Sequence, residues 1–459
     1  MDTLNLKGKR VTVVGLARSG FSAAKLLARL GAKVIVSDRN PTELIKADLD
    51  SLQDLGVGLE LGGHKAETFL GAELIILSPG VDPRLPLITK ARSLRIPIWS
   101  EVELAFRASS ARFISITGTN GKSTTVTLLG EMFKEAGVPA VVAGNVGTAL
   151  SEVAPGLGPD FTVVAELSSF QLEGIKAFRP FISLLLNLAP DHLDRYSSIE
   201  DYYLAKLRIF ENQGPADYAI LNADDPEIMK RVHGSLKAKP FYFSRLKEVK
   251  NGGFLLGDRI HFSRNGKGRE VASRWDVGIK GVHNLENALA AITAACLAGI
   301  KTDSIQRGLR SFPGLEHRLE LVEEVKGVSY INDSKATNIG AVIKSLESFS
   351  QPIVLIAGGR GKGEDFTPLV PLVKEKVKAA ILIGEAREKL SRALEGSCPI
   401  FMEESMEKAV ELSSKLAGKG EVVLLSPACA SFDMFSDFEE RGRVFKSAVH
   451  ALKGGFSAS

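Results

Sequence analysis

Cysteine is scarce in this sequence, with three residues among 459: Cys296, Cys398 and Cys429. Their wide spacing and odd number argue against a disulfide framework and against a zinc site built from cysteine pairs. Few, scattered cysteines are typical of a protein from a reducing compartment.

A strong net charge and long apolar runs are lacking as well. The 58 basic and 54 acidic residues leave a formal charge of +4, which is too small for this chain length to predict binding to nucleic acid or to a membrane. No stretch approaches the roughly 18 uninterrupted apolar residues of a membrane-spanning helix, and the first residues lack the pattern of a secretory signal peptide. We therefore expect a cytoplasmic protein whose phosphate ligands are bound by local loops.

Short apolar runs alternate with helix-length segments along the chain. Such runs, bounded by Gly or Asp, predict strands of parallel sheets covered by helices on both faces, so the predicted fold class is α/β. The predicted strands lie within residues 10–16, 33–38, 73–80, 112–118, 160–167, 181–188, 352–359, 379–384 and 421–428. A Gly-rich stretch at 240–280 predicts a small antiparallel insertion.

The order of these elements predicts three domains. The first, 1–105, opens with a strand, a glycine turn and a helix. The second, 106–312, opens with the strand that leads into GTNGKST, and the third, 313–459, follows Phe312-Pro313-Gly314, where a helix cannot continue.

The segment FISITGTNGKSTTVTLL (113–129) predicts a strand, a Gly-rich turn and a helix that begins near Lys122. Gly118 and Gly121 would let backbone N–H groups approach phosphate, and the helix N-terminus would add its positive dipole end. Lys122 could reach the terminal phosphates, and the Ser123 hydroxyl could bind Mg²⁺. The usual pattern places its first glycine where Ile116 stands, so an ordinary strand-to-helix turn is the alternative. Triphosphate binding is the prediction, but the pattern does not separate a kinase from a hydrolase or a ligase.

Polar side chains follow two of the predicted strands. Glu166 ends the strand DFTVVAE, and a burst containing Asn187, Asp191 and His192 follows FISLLLNL. Because Mg²⁺ prefers oxygen ligands, Glu166 and Ser123 are a plausible pair. His192 is a softer ligand, and the burst could equally be a solvated turn.

Several motifs occur in an order that resembles the Mur ligase family of peptidoglycan synthesis. They are GTNGKST, ELSSFQLE, NLAPDHLDRY, GVHNLENALAA (281–291), PGLEHRLE (313–320), YINDSKATN (330–338) and LLSPACASFDMFSDFEERG (424–442). The resemblance spans nearly the whole chain. NDSKATN together with SPACASFDMF is most similar to the member that adds D-glutamate to UDP-N-acetylmuramoyl-L-alanine.

This resemblance implies an ATP-dependent ligase. ATP would phosphorylate the carboxylate of the UDP-sugar-linked residue, and the amine of D-glutamate would attack the acyl phosphate. The family's three domains are a Rossmann-like UDP-binding domain, a central P-loop ATPase domain with a parallel sheet and a C-terminal Rossmann-like domain. The expected partners are UDP-N-acetylmuramoyl-L-alanine, D-glutamate and ATP, with two Mg²⁺ ions and a monomeric chain.

The resemblance also implies the residues that contact each ligand. For ATP they are Gly118, Thr119, Asn120, Gly121, Lys122, Ser123, Thr124, Asn284, Asn287, Arg318 and Asp333. For metal they are Ser123, Glu166, His192 and Lys206. For the UDP-sugar they are Arg18, Ser19, Asp38, Arg39, Ser78, Gly80 and Asn145. For D-glutamate they are Thr337, Lys362, Ser431, Phe432 and Phe438. The implied catalytic residues are Lys122, His192, Lys206 and Lys335, and Lys335 would reach the phosphate only on domain closure.

For one of these positions, Lys206, the local sequence and the family resemblance give different interpretations. The helical spacing around Lys206 indicates an exposed or snorkelling lysine, whereas the resemblance implies an N-carboxylated side chain that binds Mg²⁺. Only a neutral amine reacts with CO₂, so the site would have to lower the lysine pKa from about 10.4.

The GLARSG turn (15–20) with Asp38 is similar to a dinucleotide fingerprint, but Ala17 stands at the second glycine, so NAD binding is unsupported. His64 lies in a polar turn and is predicted to be solvated.

Two other functions fit parts of the sequence. A related amide ligase, such as one resembling folylpolyglutamate synthase, would share the Gly-rich turn and the lysine but differ in the N-terminal domain. A P-loop NTPase that switches a partner would have no need for substrate domains on both sides, so the three-domain layout disfavours it.

Overall fold

The computed structural model describes residues 4–454 apart from 46, 193, 194, 233, 235, 280 and 362. The chain forms two compact units, one of Met1–Asp276 with Asn287–Ser311 and the other of Val277–Glu286 with Phe312–Ser459. None of the described helices combines the length and apolar composition needed to cross a membrane.

Five parallel strands form the first sheet, which lies in the first unit in the order β3-β2-β1-β4-β5. The strands are β1 (Arg10–Val14), β2 (Lys33–Asp38), β3 (Gly58–Leu61), β4 (Leu74–Leu77) and β5 (Ile98–Ser100). The helices are α1 (Arg18–Arg29), α2 (Leu49–Gln53), α3 (Ala66–Leu70), α4 (Pro86–Ser93) and α5 (Glu101–Arg107). The chain reverses its direction of winding between β1 and β4, and the carboxyl ends of strands at such a point form a crevice for ligands.

Nine strands form the second sheet, also in the first unit, in the order β14-β13-β12-β11-β10-β9-β6-β8-β7. The strands are β6 (Arg112–Thr117), β7 (Ala140–Gly144), β8 (Thr162–Glu166), β9 (Ile182–Leu185), β10 (Tyr218–Asn222), β11 (Lys239–Ser244), β12 (Gly252–Leu256), β13 (Arg259–Arg264) and β14 (Lys267–Ser273). The helices are α6 (Lys122–Glu135), α7 (Leu150–Val153), α8 (Ser169–Leu172), α9 (Ile199–Leu207), α10 (Pro226–Val232) and α12 (Thr302–Ser311). Helix α11 (Val282–Leu297) is divided between the two units after Glu286. Strands β12, β13 and β14 pair antiparallel, which confirms the predicted insertion.

Six strands form the third sheet, in the second unit, in the order β15-β16-β20-β17-β18-β19. The strands are β15 (Glu320–Val325), β16 (Val328–Asn332), β17 (Ile353–Gly358), β18 (Val377–Ile383), β19 (Ile400–Met402) and β20 (Val422–Leu425). The helices are α13 (Ile339–Glu347), α14 (Val370–Lys376), α15 (Arg387–Leu394), α16 (Met406–Leu416) and α17 (Phe438–Gly454). All neighbouring strands except β15 and β16 run parallel.

The central strands of all three sheets are apolar and buried because helices cover both faces. Val13, Ile114 and Leu355 are each at most 1% exposed. The predicted α/β class with parallel sheets is therefore confirmed. The domain boundaries at 105/106 and 312/313 stay predictions.

Candidate active site

The predicted phosphate loop lies between β6 and α6, and its backbone geometry requires glycine. Gly118 has φ 152° and Gly121, the N-cap of α6, has φ 83°. A Cβ on Gly121 would lie 2.1 Å from Asn287 Oδ1. Helix α6 begins at Lys122, as predicted, so its N-terminus faces the turn.

Side chains from the loop after β9 hold this turn in place. Asn187 accepts from the backbone N–H of Asn120 (2.8 Å) and donates to its carbonyl (3.0 Å). Thr119 donates through its hydroxyl to the Ala189 carbonyl (3.1 Å) and accepts from the Ala189 N–H (3.0 Å). The sequence places Asn187 in a polar burst but gives it no role. The structure shows that it fixes the backbone of the phosphate loop.

Two lysine amines meet at one carbonyl of this loop. Lys122 Nζ donates to the carbonyls of Gly118 (2.9 Å) and Thr119 (2.8 Å), and Lys206 Nζ donates to the same Gly118 carbonyl (2.9 Å). Lys206 is 2% exposed and lies 4.6 Å from the centre of the Tyr202 ring. The interpretation of Lys206 as an exposed or snorkelling lysine is therefore wrong, because α9 buries its side chain against the loop.

Burial lowers the pKa of Lys206 well below its usual value, and the nearby charge of Lys122 acts in the same direction. Asp191 and Glu166 oppose this effect, so both carboxylates lie within electrostatic range of the amine. The environment therefore favours the neutral amine, the form that reacts with CO₂.

Glu166 is a buried carboxylate at the carboxyl end of β8, next to the strand that leads into the loop. It is 1% exposed, and its register partner on β6 is Ile116. Its Oε1 accepts from Asn145 Nδ2 (3.0 Å), whereas its Oε2 is buried with no hydrogen-bond partner among the described residues. A buried oxygen of this kind suits a hard cation such as Mg²⁺. Ser123, the other predicted oxygen ligand, is 5% exposed at the first turn of α6.

His192 lies beside this site with a left-handed backbone (φ 54°). Its ring packs edge-on against Phe170 (4.9 Å) and Tyr202 (5.9 Å between centroids). Its Nε2 lies 3.8 Å from Asp191 Oδ2. Because 38% of the side chain is exposed, the ring is open to a ligand, but a metal role stays a prediction.

Asn284 and Asn287 lie one turn apart on α11, as the spacing predicts. Both are buried, at 7% and 5% exposure. Asn287 contacts the phosphate loop at Gly121.

The seven residues predicted for the UDP-sugar line one cavity of about 650 Å³ at the carboxyl ends of β1, β2 and β4. The cavity extends to Asn145, directly after β7, where Arg18 Nη2 donates to the Asn145 carbonyl (2.8 Å). Since Asn145 also donates to Glu166, this cavity adjoins the predicted metal ligand.

The walls of this cavity depend on two local features. Asp38 accepts from the backbone N–H groups of Leu16 (2.6 Å) and Asn40 (2.8 Å), so its carboxylate shapes the turn after β1. His64 also lines the cavity, with Nδ1 2.8 Å from the Ser37 hydroxyl. His64 is half-buried on the wall of this cavity, so its solvation stays a prediction.

In the second unit, one of the residues predicted to contact the nucleotide is Asp333, directly after β16. It is 6% exposed, and its carboxylate accepts from the hydroxyls of Ser345 (2.5 Å) and Ser426 (3.0 Å). Burial raises the pKa of Asp333 to about 6, and these hydrogen bonds and Arg318 partly offset the rise. Arg318, the other predicted nucleotide contact, therefore lies within electrostatic range of Asp333.

Of the residues predicted for D-glutamate, Thr337, Ser431 and Phe432 lie in loops of the same unit and Phe438 begins α17. Lys335 Nζ lies 3.5 Å from the centre of the Phe438 ring, and the N–H of Thr337 donates to the Lys335 carbonyl (2.8 Å). Ser431 is 2% exposed, whereas Phe432 is 63% exposed. Lys362, the fifth predicted residue, lies outside the described residues.

Three family models match the chain and together span most of it. They are the "Mur ligase MurD-like, N-terminal domain" at residues 9–100, the "Mur ligase middle domain" at 116–295 and the "Mur ligase, glutamate ligase domain" at 317–429.

Curated relatives match over almost the full length. The chain is 47% identical over 455 residues to the UDP-N-acetylmuramoylalanine–D-glutamate ligase of Geotalea daltonii, covering 98% of this chain and 99% of the relative. It is also 47% identical to the ligase of the same name from Caldanaerobacter subterraneus subsp. tengcongensis, covering 98% and 100%.

Solved structures share the fold at lower identity. A pseudomurein peptide ligase type C from Methanothermus fervidus gives a TM-score of 0.61 at 19% identity, covering 97% of this chain and 100% of the other. The MurF ligase from Thermotoga maritima in complex with ADP gives 0.61 at 16% identity, covering 98% and 97%. These likenesses show the fold alone.

Proposed function

The chain belongs to the Mur ligase family, and on that premise we propose that it joins D-glutamate to UDP-N-acetylmuramoyl-L-alanine at the expense of ATP. The reaction would be a step in the synthesis of peptidoglycan precursors. The observation that carries this proposal is the near full-length identity to ligases named for that reaction. The geometry around the phosphate loop fits the phosphoryl transfer that the reaction requires.

The proposed chemistry has two steps. The carboxylate of the L-alanyl residue attacks the γ-phosphorus of ATP, which forms an acyl phosphate and releases ADP. The amine of D-glutamate then attacks the acyl carbon, a proton leaves the nitrogen, and phosphate departs as the amide forms. Phosphoryl transfer depends mainly on positioning and on charge neutralisation, and the Gly118–Ser123 loop with Lys122 supplies groups for both.

We assign Mg²⁺ to the oxygen ligands at the edge of the second sheet. The Oε2 of Glu166, which has no hydrogen-bond partner in the described part of the chain, and the hydroxyl of Ser123 would bind it. His192 is the proposed ligand of a second ion. When bound, Mg²⁺ would neutralise charge on the phosphates.

We propose that Lys206 carries the N-carboxylate that completes this site. Its burial, its depressed pKa and its contact with the Gly118 carbonyl support the proposal. The modification joins CO₂ to the neutral amine and releases one proton, which turns the neutral amine into an anion that binds Mg²⁺.

The remaining ligands are assigned to the cavities and loops described above. The 650 Å³ cavity would bind the UDP-sugar, and the second unit would bind D-glutamate through Thr337, Lys362, Ser431, Phe432 and Phe438. We also propose a cytoplasmic location, because the reaction consumes ATP and none of the three cysteines forms a disulfide. A monomeric chain and a contact between Lys335 and the transferred phosphate stay predictions.

A panel of amine acceptors tests the function. The protein is incubated with ATP, Mg²⁺ and UDP-N-acetylmuramoyl-L-alanine, together with D-glutamate, L-glutamate or L-lysine, and phosphate release is measured. We expect release with D-glutamate only, and none when Mg²⁺ is omitted. Release without any amino acid would favour an NTPase, and release with L-lysine but not D-glutamate would favour another amide ligase.

A further inference from the structure

Arg441 is a buried guanidinium that no step above uses. It lies in the first turn of α17 and is 1% exposed. Its Nε donates to the Ser334 hydroxyl (3.0 Å), and its Nη2 donates to the Ser334 carbonyl (2.9 Å). Its Nη1 donates to the carbonyls of Cys429 (3.1 Å), Ala430 (3.3 Å) and Gly358 (3.5 Å). Within the part of the chain that the structure describes, no carboxylate hydrogen-bonds to it.

These acceptors belong to three loops that leave neighbouring strands. Ser334 follows β16, Gly358 ends β17, and Cys429 with Ala430 follows β20, which lies between the other two strands. The three strands run parallel, so their carboxyl ends meet at one edge of the sheet. Ligands of open α/β sheets bind at this kind of edge.

The loops approach one another so closely that one position requires glycine. Gly359 has φ 130°, and a Cβ there would lie 2.2 Å from the Ala430 carbonyl and 3.1 Å from Arg441 Nη1. Arg360 and Ala430 also exchange backbone hydrogen bonds of 2.9 and 3.0 Å. The guanidinium therefore lies at the point where the three loops meet.

Each of these loops carries a residue of the proposed D-glutamate site. Thr337 lies three residues after Ser334, Lys362 lies four after Gly358, and Ser431 directly follows Ala430. Ser334 also donates through its hydroxyl to the carbonyl of Phe438 (2.8 Å). A displacement of Arg441 would therefore disturb the loops that carry Thr337 and Ser431.

We propose that Arg441 is the positioning residue of the amino-acid site and that its buried positive charge favours a dicarboxylate substrate. This inference rests on the proposed function, because it concerns how D-glutamate is held. Carbonyl and hydroxyl oxygens are the hydrogen-bond acceptors of Arg441, and the carboxylates of Asp333 and Asp433 act on its charge only from electrostatic range. Two carboxylates bound nearby would compensate that charge in a medium of low dielectric constant. Burial lowers the pKa of Arg441 to about 10, so the group stays charged at neutral pH.

The kinetics of two variants separate the effect of the hydrogen bonds that Arg441 donates to the three loops from the effect of its charge. Arg441→Met removes both, whereas Arg441→Lys keeps the charge but loses the planar fork of donors. We expect the Met variant to raise KM for D-glutamate about tenfold or more, with KM for ATP and for the UDP-sugar changed by less than about twofold. The Lys variant should fall between it and the wild type. Arg443→Met is the matched control, since Arg443 lies on the same helix with its side chain 59% exposed, and it should leave all three KM values unchanged.

Ser334→Ala keeps the test decisive if Arg441→Met does not fold. It removes the acceptor of Nε and should raise KM for D-glutamate selectively, by about threefold. Equal changes in all three KM values, or no change in a folded variant, would overturn the inference while the proposed function stands. A wild-type protein that does not use D-glutamate would overturn both.

Discussion

At the scale of single residues, two ionisable groups are buried near the phosphate loop, a lysine and a glutamate. Lys206 is buried beside the cation Lys122, so its neutral form is favoured. Glu166 is buried with one oxygen that lacks a partner among the described residues. If Lys206 becomes an anion by carboxylation, a bound cation would stabilise both this anion and the Glu166 carboxylate. The two observations therefore support each other.

Replacing Lys206 tests this account. Lys206→Ala removes the amine, and we expect activity to fall by at least about 100-fold, the size of effect seen when a group that stabilises transition-state charge is lost. Lys230→Ala, at an exposed position on α10, should retain wild-type activity. Incubation with ¹³C-bicarbonate should give a carbamate NMR signal in the wild type and none in the variant. Full activity of Lys206→Ala in bicarbonate-depleted buffer would contradict the proposal.

Asp333 should make stability depend on pH. Its pKa is raised from 3.8 to about 6 in the folded state, so the folded state binds the proton more tightly than the unfolded state does. Protonated Asp333 therefore adds to the free energy of unfolding, fully so below about pH 4. This contribution is lost as the pH rises through about 6. By the usual conversion the loss is of the order of 3 kcal/mol.

Asp333→Asn removes the titrating group and should show this effect directly. We expect the melting temperature of the variant, relative to the wild type, to increase between pH 4 and pH 7.5. A difference that stays constant over this range would show that Asp333 does not titrate there. Asp437→Asn, on a half-exposed side chain of the same unit, serves as the control.

At the scale of elements, the turn between β6 and α6 depends on two glycines and on the loop after β9. The sequence predicts the strand, the turn and the helix start, because these follow from local apolar pattern and glycine spacing. It cannot predict that Asn187 holds Asn120, because that contact joins residues 67 positions apart. The same limit applies to Arg441, whose acceptors lie 11 to 107 positions away.

Gly121→Ala tests the tight packing of the turn. The new Cβ would meet Asn287 Oδ1 in addition to the strain at positive φ, so we expect weaker ATP binding and a loss of stability of roughly 1–3 kcal/mol. Gly137→Ala is the matched control, because its φ is 64° but nothing lies within 4 Å of the new Cβ. ATP titration by calorimetry and thermal melting of both variants would measure the difference. Equal effects in the two variants would show that the contact with Asn287 is unimportant.

Each of the nine predicted strands is found in the structure, but several strands at the sheet edges are not predicted. Strands β3, β7 and β19 are short, lie at sheet edges and are half-buried, so their apolar pattern is weak. The interior strands β10 and β16 were also not predicted. The burial of Lys206 could not be predicted from helical spacing, because it results from packing of α9 against the phosphate loop. Local periodicity carries no information about that long-range contact.

At the scale of the whole molecule, the sequence resemblance and the fold answer different questions. The three sheets place predicted ligand-binding residues at the carboxyl ends of their strands, and the fold itself is shared with solved structures of ligases that carry different names. The solved structures, at 16% and 19% identity, therefore support the fold but do not select an amino acid. The choice of D-glutamate depends on the close relatives and on the loops of the third sheet.

The central claim is that a carboxylate is activated as an acyl phosphate before the amine attacks it. UDP-N-acetylmuramoyl-L-alanine labelled with ¹⁸O in its terminal carboxylate, incubated with the enzyme, ATP, Mg²⁺ and D-glutamate, tests this most directly. We predict that each phosphate released carries one ¹⁸O from the carboxylate and that one amide forms for each phosphate, as mass spectrometry would show. Phosphate without the label, or label in AMP, would contradict the account.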